Sequence, residues 1–176
     1  MPTEPISDAP YPQPIVEAAA LLTHALNSQS QPHAVFEAFD TVCINLFGRH
    51  LLTAFAWTQG SAEVERLYTS HPEHYPKGAR KLMGPTPWGA LVLEKGRPWL
   101  GCNADDIRWA FPDYELILSL GCLSCMNVPI RWKGETLGAV SVLDAEDSYS
   151  KDTLLVLNAF SGFLVAPLLA HHQSAL

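Results

Sequence analysis

The strongest constraint on this chain is a change of hydrophobic period in its last third. Cys125 to Trp132 and Glu135 to Leu143 are β-rich runs separated only by Lys133-Gly134, which predicts a tight hairpin. The spacing then lengthens. Leu154, Leu157, Phe160, Leu164 and Leu168 recur every three or four residues, and Ser150 is available as N-cap, so a helix is expected from Lys151 to about Ala170. A hairpin exposes an apolar face and this helix an apolar stripe; each needs the other as cover. That pairing specifies an α+β domain with an antiparallel sheet and helices packed on it.

The upstream sequence supplies more of the same parts. Ile15 to Asn27 carries Val16, Ala19, Ala20, Leu22 and Leu26 at helical steps. His33 to Phe47 places Val35, Phe36, Phe39, Cys43, Leu46 and Phe47 on one face before Gly48 stops it. Leu52 to Trp57 and Glu63 to Thr69 read as a second hairpin around Gln59-Gly60-Ser61. The segment from His71 to Pro87 has four prolines and two glycines and reads as a loop of functional length. Thr86 then suits an N-cap, Pro87 the first helical position, and Gly96 the residue past the end. Arg97 to Cys102 reads as a short strand and Asp105 to Phe111 as a helical turn. Asp113 is placed to cap a helix ending near Gly121.

Charge excludes some partners. Across 176 residues, 18 acids against 11 lysines and arginines leave −7. Five of those acids (Glu4, Asp8, Glu17, Glu37 and Asp40) precede the first basic residue, Arg49. No basic stripe exists for a phosphate backbone or an anionic membrane surface, so neither nucleic acid nor membrane is an expected partner. No apolar run approaches the roughly 20 residues of a membrane span. Residues 1–14 hold five prolines and two acids, unlike a signal or transit peptide, and read as a flexible arm before a single domain over 15–176. Four cysteines are too few for a disulfide scaffold, which suits a cytoplasmic protein with reduced thiols.

The run SLGCLSCMNVPIRWKGETLGAVSVLDAEDSYSKDTLLVLNAFSGFLVAPLL resembles the closing half of a GAF domain. Upstream, RLYTSHPEHYPKGARK, TPWGALVLEKGRPWLG and DDIRWAFPDYELILSLG look like segments of bacterial stand-alone GAF proteins, so the resemblance spans about residues 33–170. It implies a PAS-related antiparallel sheet of about six strands, with the N- and C-terminal helices on one face and a ligand pocket on the other. It further implies a sensory role, a homodimer formed through the first and last helices, and an output carried by a partner protein.

Within that layout the aromatic residues Tyr68, Trp88, Trp109 and Phe111 are expected to line the pocket, because ligand sites are mostly apolar walls with a few fixed polar groups. Asp106, Ser124, Asn127, Ser141 and Cys122 supply polar candidates, with Ser70 nearby. Arg66 and Arg108 are suited to clamp a carboxylate through two parallel hydrogen bonds. The expected ligand is a small anionic or aromatic metabolite, with no cofactor or metal. The alternative is a GAF-fold enzyme using a thiol, centred on Cys122 with Cys125 and Asp106: either a small lyase or hydrolase, or a reductase like the class of GAF enzymes that reduces methionine sulfoxide. The residues depart from that class: Trp88 stands where its essential Cys precedes a Gly, and position 78 is Gly. Cys122 and Cys125 make only half a zinc site, and small thiols also fill sheets. His71-Pro72-Glu73-His74 brings two imidazoles and a carboxylate together, but its prolines favour a solvated loop over a metal site.

Overall fold

The computed structural model describes residues 12–82 and 86–174. Two helices come first, α1 (Gln13–Leu26) and α2 (His33–Phe47), followed by β1 (Leu51–Trp57), β2 (Glu63–Thr69) and β3 (Arg80–Leu82). A wide helical turn spans Gly89–Glu94; Lys95 closes it by donating its N–H to the carbonyl of Ala90, five residues back, at 3.1 Å. Then come β4 (Trp99–Gly101), α3 (Ala104–Ala110), α4 (Tyr114–Ser119), β5 (Ser124–Trp132) and β6 (Glu135–Asp144). The chain ends in α5 (Lys151–Phe160), a 3₁₀ turn (Ser161–Leu164) and α6 (Val165–Ser174). Helix α1 begins two residues earlier than its periodicity suggests. The rest of the expected arm, residues 1–11, lies outside the described residues.

The six strands form one antiparallel sheet in the order β3-β2-β1-β6-β5-β4. Lys133 and Gly134 both take positive φ, 51° and 85°, giving the left-handed two-residue turn whose twist matches its flanking strands. Alternation then sorts the side chains. Leu52 and Ala54 of β1, Met126, Val128 and Ile130 of β5, and Val140 and Val142 of β6 face α1, α2, α5 and α6, where they join Leu22, Phe39, Leu157, Leu164 and Leu168 in the main core. Leu51, Cys125 and Leu143 face the other way, under α3 and α4. A third apolar cluster gathers Trp57, Val64, Trp88, Val92 and Ala139 beneath the wide helical turn. Both faces are therefore covered, with the larger helices on one side and short segments on the other.

The end of the chain corrects one expectation. Lys151–Ser174 runs on as a 24-residue helical stretch that is long and apolar enough, by length and composition, to cross a bilayer. In this fold Leu157, Leu164 and Leu168 are fully buried against the sheet, so part of that apolarity is core. Pro167 falls in the first turn of α6, where a missing N–H is tolerated.

Close strand approach at Gly138 admits no side chain. A Cβ there would lie 1.9 Å from the carbonyl oxygen of Phe55 and 2.7 Å from a methyl of Leu168. Gly138→Ala is expected to destabilise the domain by about 3 kcal/mol, the upper part of the overpacking range, read as a lower urea midpoint.

Candidate functional site

The register of β1 and β2 slips by one residue between Ala54 and Phe55: Ala54 pairs with Tyr68, and Phe55 with Arg66. The extra residue in β2 turns Tyr68 to the helix side and Arg66 to the opposite side. Tyr68 thus leaves the set of pocket candidates. Its ring stacks on Phe36 at 5.7 Å, and its hydroxyl donates to Asp40 at 3.0 Å. Asp40 is also held by Arg49 through two hydrogen bonds, which makes a paired and buried ionic group under α2.

Arg66 has no such partner. Its side chain is only 7% exposed, and among the described residues it enters no ion pair. One Nη donates to the carbonyl of Pro76 at 3.3 Å; Nε finds no acceptor. The guanidinium lies over the rings of Phe55 and Tyr75, at 5.4 and 4.9 Å. Burial lowers its pKa, partly opposed by the field of Asp113. Around it is a cavity of about 30 Å³, which Thr53, Ser141, Phe111 and Ile117 also line. The space holds about two water molecules.

Three segments wall this cavity. The loop between β2 and β3 supplies Tyr75, which is 6% exposed and whose phenol is pushed up in pKa by burial and by the nearby Asp113 carboxylate. That loop is tied back by the N–H of Gly78 donating to the carbonyl of Arg66 at 2.8 Å. Strand β3 supplies Lys81, whose ammonium meets Asp113 at 2.5 Å. Asp113 does occupy the N-cap of α4, but its carboxylate serves Lys81 instead of the helix. The link between α3 and α4 supplies Phe111, whose ring packs on Trp88 at 6.2 Å. Trp88 is 2% exposed, and its indole N–H finds no acceptor among the described residues. Behind it, Thr86 accepts the N–H of Gly89 at 3.0 Å, the N-cap expected for that position.

The other candidates are placed elsewhere. Trp109 is 44% exposed on α3 and packs at a tilt on Trp99, ring centroids 4.9 Å apart, outside the cavity wall. The Asp106 carboxylate accepts the N–H of Cys102 at 2.7 Å and so staples β4 to α3. Ser124 donates to the carbonyl of Ala145 at 2.5 Å and fixes a loop. Arg108 pairs at the surface with Asp105. Ser70 accepts the N–H of Leu52, and the adjacent His71 bonds that same hydroxyl. Ser141 lines the cavity and donates to Asn127 at 2.7 Å; Asn127 is wholly buried and donates in turn to the sulfur of Cys125 at 3.4 Å.

Thiol chemistry finds no support in this arrangement. Cys122 and Cys125 are both fully buried, and burial pushes each thiol up to about 12, with Asp144 adding to the effect at Cys122. A reactive cysteine needs exposure and a lowered pKa.

The sequence of residues 18–168 matches the family model for the GAF domain. The chain belongs to the GAF domain family. Among solved structures its fold is similar to the GAF domain of a phosphoenolpyruvate-protein phosphotransferase from Coxiella burnetii, with a TM-score of 0.71, 18% identity, and coverage of 92% of this chain and 97% of that one. The corresponding GAF domain from Acinetobacter gives a TM-score of 0.72 at 12% identity, over 93% of this chain and 97% of that one. The chromophore-binding domain of a Stigmatella aurantiaca bacteriophytochrome gives 0.66 at 12% identity, over 96% of this chain and 64% of that one. No curated protein matches the sequence. These likenesses establish the GAF fold; the chemistry of the pocket belongs to this chain's own residues.

Labelling with iodoacetamide at pH 7.5 is expected to modify the partly exposed Cys102 first, and Cys122 and Cys125 only on unfolding, as read by peptide mass spectrometry. Rapid modification of Cys122 in the native protein would restore the thiol-enzyme reading.

Proposed function

We propose that this GAF domain is a sensory module whose ligand is a small organic anion, a carboxylate, bound in the cavity around Arg66. The observation that supports the reading is the guanidinium itself: buried, lying over two aromatic rings, and in no ion pair among the described residues, Asp113 nearby being paired with Lys81. A buried charge without a counter-ion is costly, and a bound anion removes that cost while accepting the free Nε–H. Arg49, partly buried on the other face and paired with Asp40, has its compensation within the protein.

The same reading includes a homodimer formed through α1 and α6, which passes occupancy to a partner protein. Val16, Leu21 and Leu26 are exposed apolar residues on α1, and Leu26 borders a largely apolar groove of about 510 Å³ shared with Pro167 and Ala170 of α6. Sedimentation is expected to show a dimer for the parent protein and a monomer for Leu26→Glu.

Thermal unfolding tests the ligand class. At one hundred times its Kd a carboxylate stabilises by about 2.7 kcal/mol, a rise in Tm of about 5–10 °C for a domain of this size, whereas the matching uncharged amide leaves Tm unchanged. Arg66→Met is expected to abolish the response and leave the free protein as stable as the parent, or more so by about 1–2 kcal/mol, because the uncompensated charge is gone. A parent protein that no carboxylate stabilises, or an Arg66→Met variant that responds like the parent, contradicts the proposal.

A further inference from the structure

Three charged side chains line the cavity beside β2, and they are paired unequally. Arg66 and Lys81 are cations; among the described residues Asp113 is the one carboxylate in the wall. That carboxylate goes to Lys81, whose Nζ donates to it at 2.5 Å. Arg66 enters no ion pair among the described residues.

The exposure of the three groups makes this choice informative. The side chains of Lys81 and Asp113 are 28% and 30% exposed, and the cavity opens to solvent between them and the partly exposed Phe111. Arg66 lies at the inner end, 7% exposed. Water screens an ion pair at the mouth, whereas a carboxylate on the buried guanidinium would act in a lower dielectric. The one internal anion is therefore committed to the cation that needs it less.

Asp113 still acts on the inner groups. Its field raises the pKa of Arg66 against the lowering by burial, and its carboxylate faces the Tyr75 hydroxyl, whose pKa it also raises. It is also free to turn. Asp113 stands at the N-cap of α4 without a side-chain cap bond, so a rotation of its side chain costs that helix no hydrogen bond. Of the hydrogen bonds around the cavity, the one that fixes this carboxylate is the bond from Lys81.

Resting on the anion-binding reading above, we propose that Asp113 is an internal competitor for the Arg66 site, and that Lys81 holds it aside so that Arg66 stays available. Arg66 decides that an anion binds, and the Lys81–Asp113 pair sets how tightly. An entering carboxylate meets the like charge of Asp113 at the mouth, which weakens its binding. Loss of Lys81 releases Asp113 to the guanidinium and fills the site from within. Loss of Asp113 leaves two cations facing one opening.

NMR titration of the full chain with acetate tests this, read as the acetate Kd and as the Arg66 Nε–H resonance. Asp113→Asn is expected to tighten acetate about tenfold, and Asp113→Ser to do the same; both residues suit an N-cap, and the second serves if the first does not fold. Lys81→Met is expected to weaken acetate at least tenfold and to move the Arg66 resonance without any acetate, because the internal carboxylate now competes for the site. In the double variant Lys81→Met, Asp113→Asn, that resonance returns to its position in the acetate-free parent, and acetate binds more tightly than in Lys81→Met. Glu115→Gln removes an exposed acid of the same helix and is expected to change acetate binding less than twofold. Acetate that binds the parent but no more tightly in either Asp113 variant overturns the competition and leaves the anion reading standing. So does an equal gain in Glu115→Gln, or a Lys81→Met variant with the parent's affinity and resonance. Acetate that binds neither the parent nor either Asp113 variant, or that binds Arg66→Met as it binds the parent, overturns both.

Discussion

The one-residue bulge in β2 opposite Ala54 and Phe55 decides how this domain uses its two faces. With a regular ladder, Arg66 and Tyr68 would point the same way, since strand side chains alternate with period two. The extra residue instead sends Arg66 under the short helices and Tyr68 into the main core. On the core side the buried carboxylate is matched: Tyr68 donates to Asp40, and Arg49 holds the same group. On the other side Arg66 is left with one backbone carbonyl and two ring faces. The two arginines differ in this respect. The fold pairs the partly buried Arg49 directly with a carboxylate and leaves the more deeply buried Arg66 without an ion pair among the described residues, beside a cavity and two residues along the same strand from Tyr68.

Much of the architecture was legible because it rests on periodicity. The apolar spacing from His33 to Phe47 marks α2 to the residue, and both hairpins stand where their turn residues indicate. Strand β3 escaped because three residues carry no period, and its pairing with β2 comes from register alone. The site was legible only in part, for related reasons. Arg66, Phe111 and Ser141 line the cavity, and Trp88 packs behind Phe111. Tyr68 pointed the wrong way because a bulge leaves no mark in composition. Asp106 and Ser124 look like ligand-binding groups in sequence, yet short polar side chains beside turns find backbone partners first. Trp109 packs outward on Trp99, so an aromatic residue on a short helix gave no indication of which face it would take.

Tyr75, Lys81 and Asp113 were missed as site residues for a different reason. Their roles depend on contacts between segments that only the folded chain brings together: Asp113 meets Lys81 across 32 residues of sequence. The loop from His71 was recognisable as functional by its length and its prolines, but its histidines drew attention, and the group that reaches the cavity is the phenol between them and Pro76. The charge balance shows the same limit. The whole chain is acidic at −7, whereas the cavity's three charged side chains sum to one positive charge.

The small cavity and the arginine without an ion pair stand together. Arg66 itself is buried, and low local dielectric strengthens each interaction that its guanidinium makes. The walls around it with least support are a loop tied by backbone bonds at Gly78 and Ala79, a part-exposed ion pair, and a three-residue link between two short helices. The sheet beneath them is shared with the helices of the opposite face. Through the two residues from Arg66 to Tyr68, a shift of β2 on anion binding acts on the hydrogen bond to Asp40 and hence on α2, which packs against α1, the helix whose outer face is still apolar. A ligand that changes the position of Arg66 therefore has a short, contiguous physical route to the far side of the domain, and one bulge creates both ends of it.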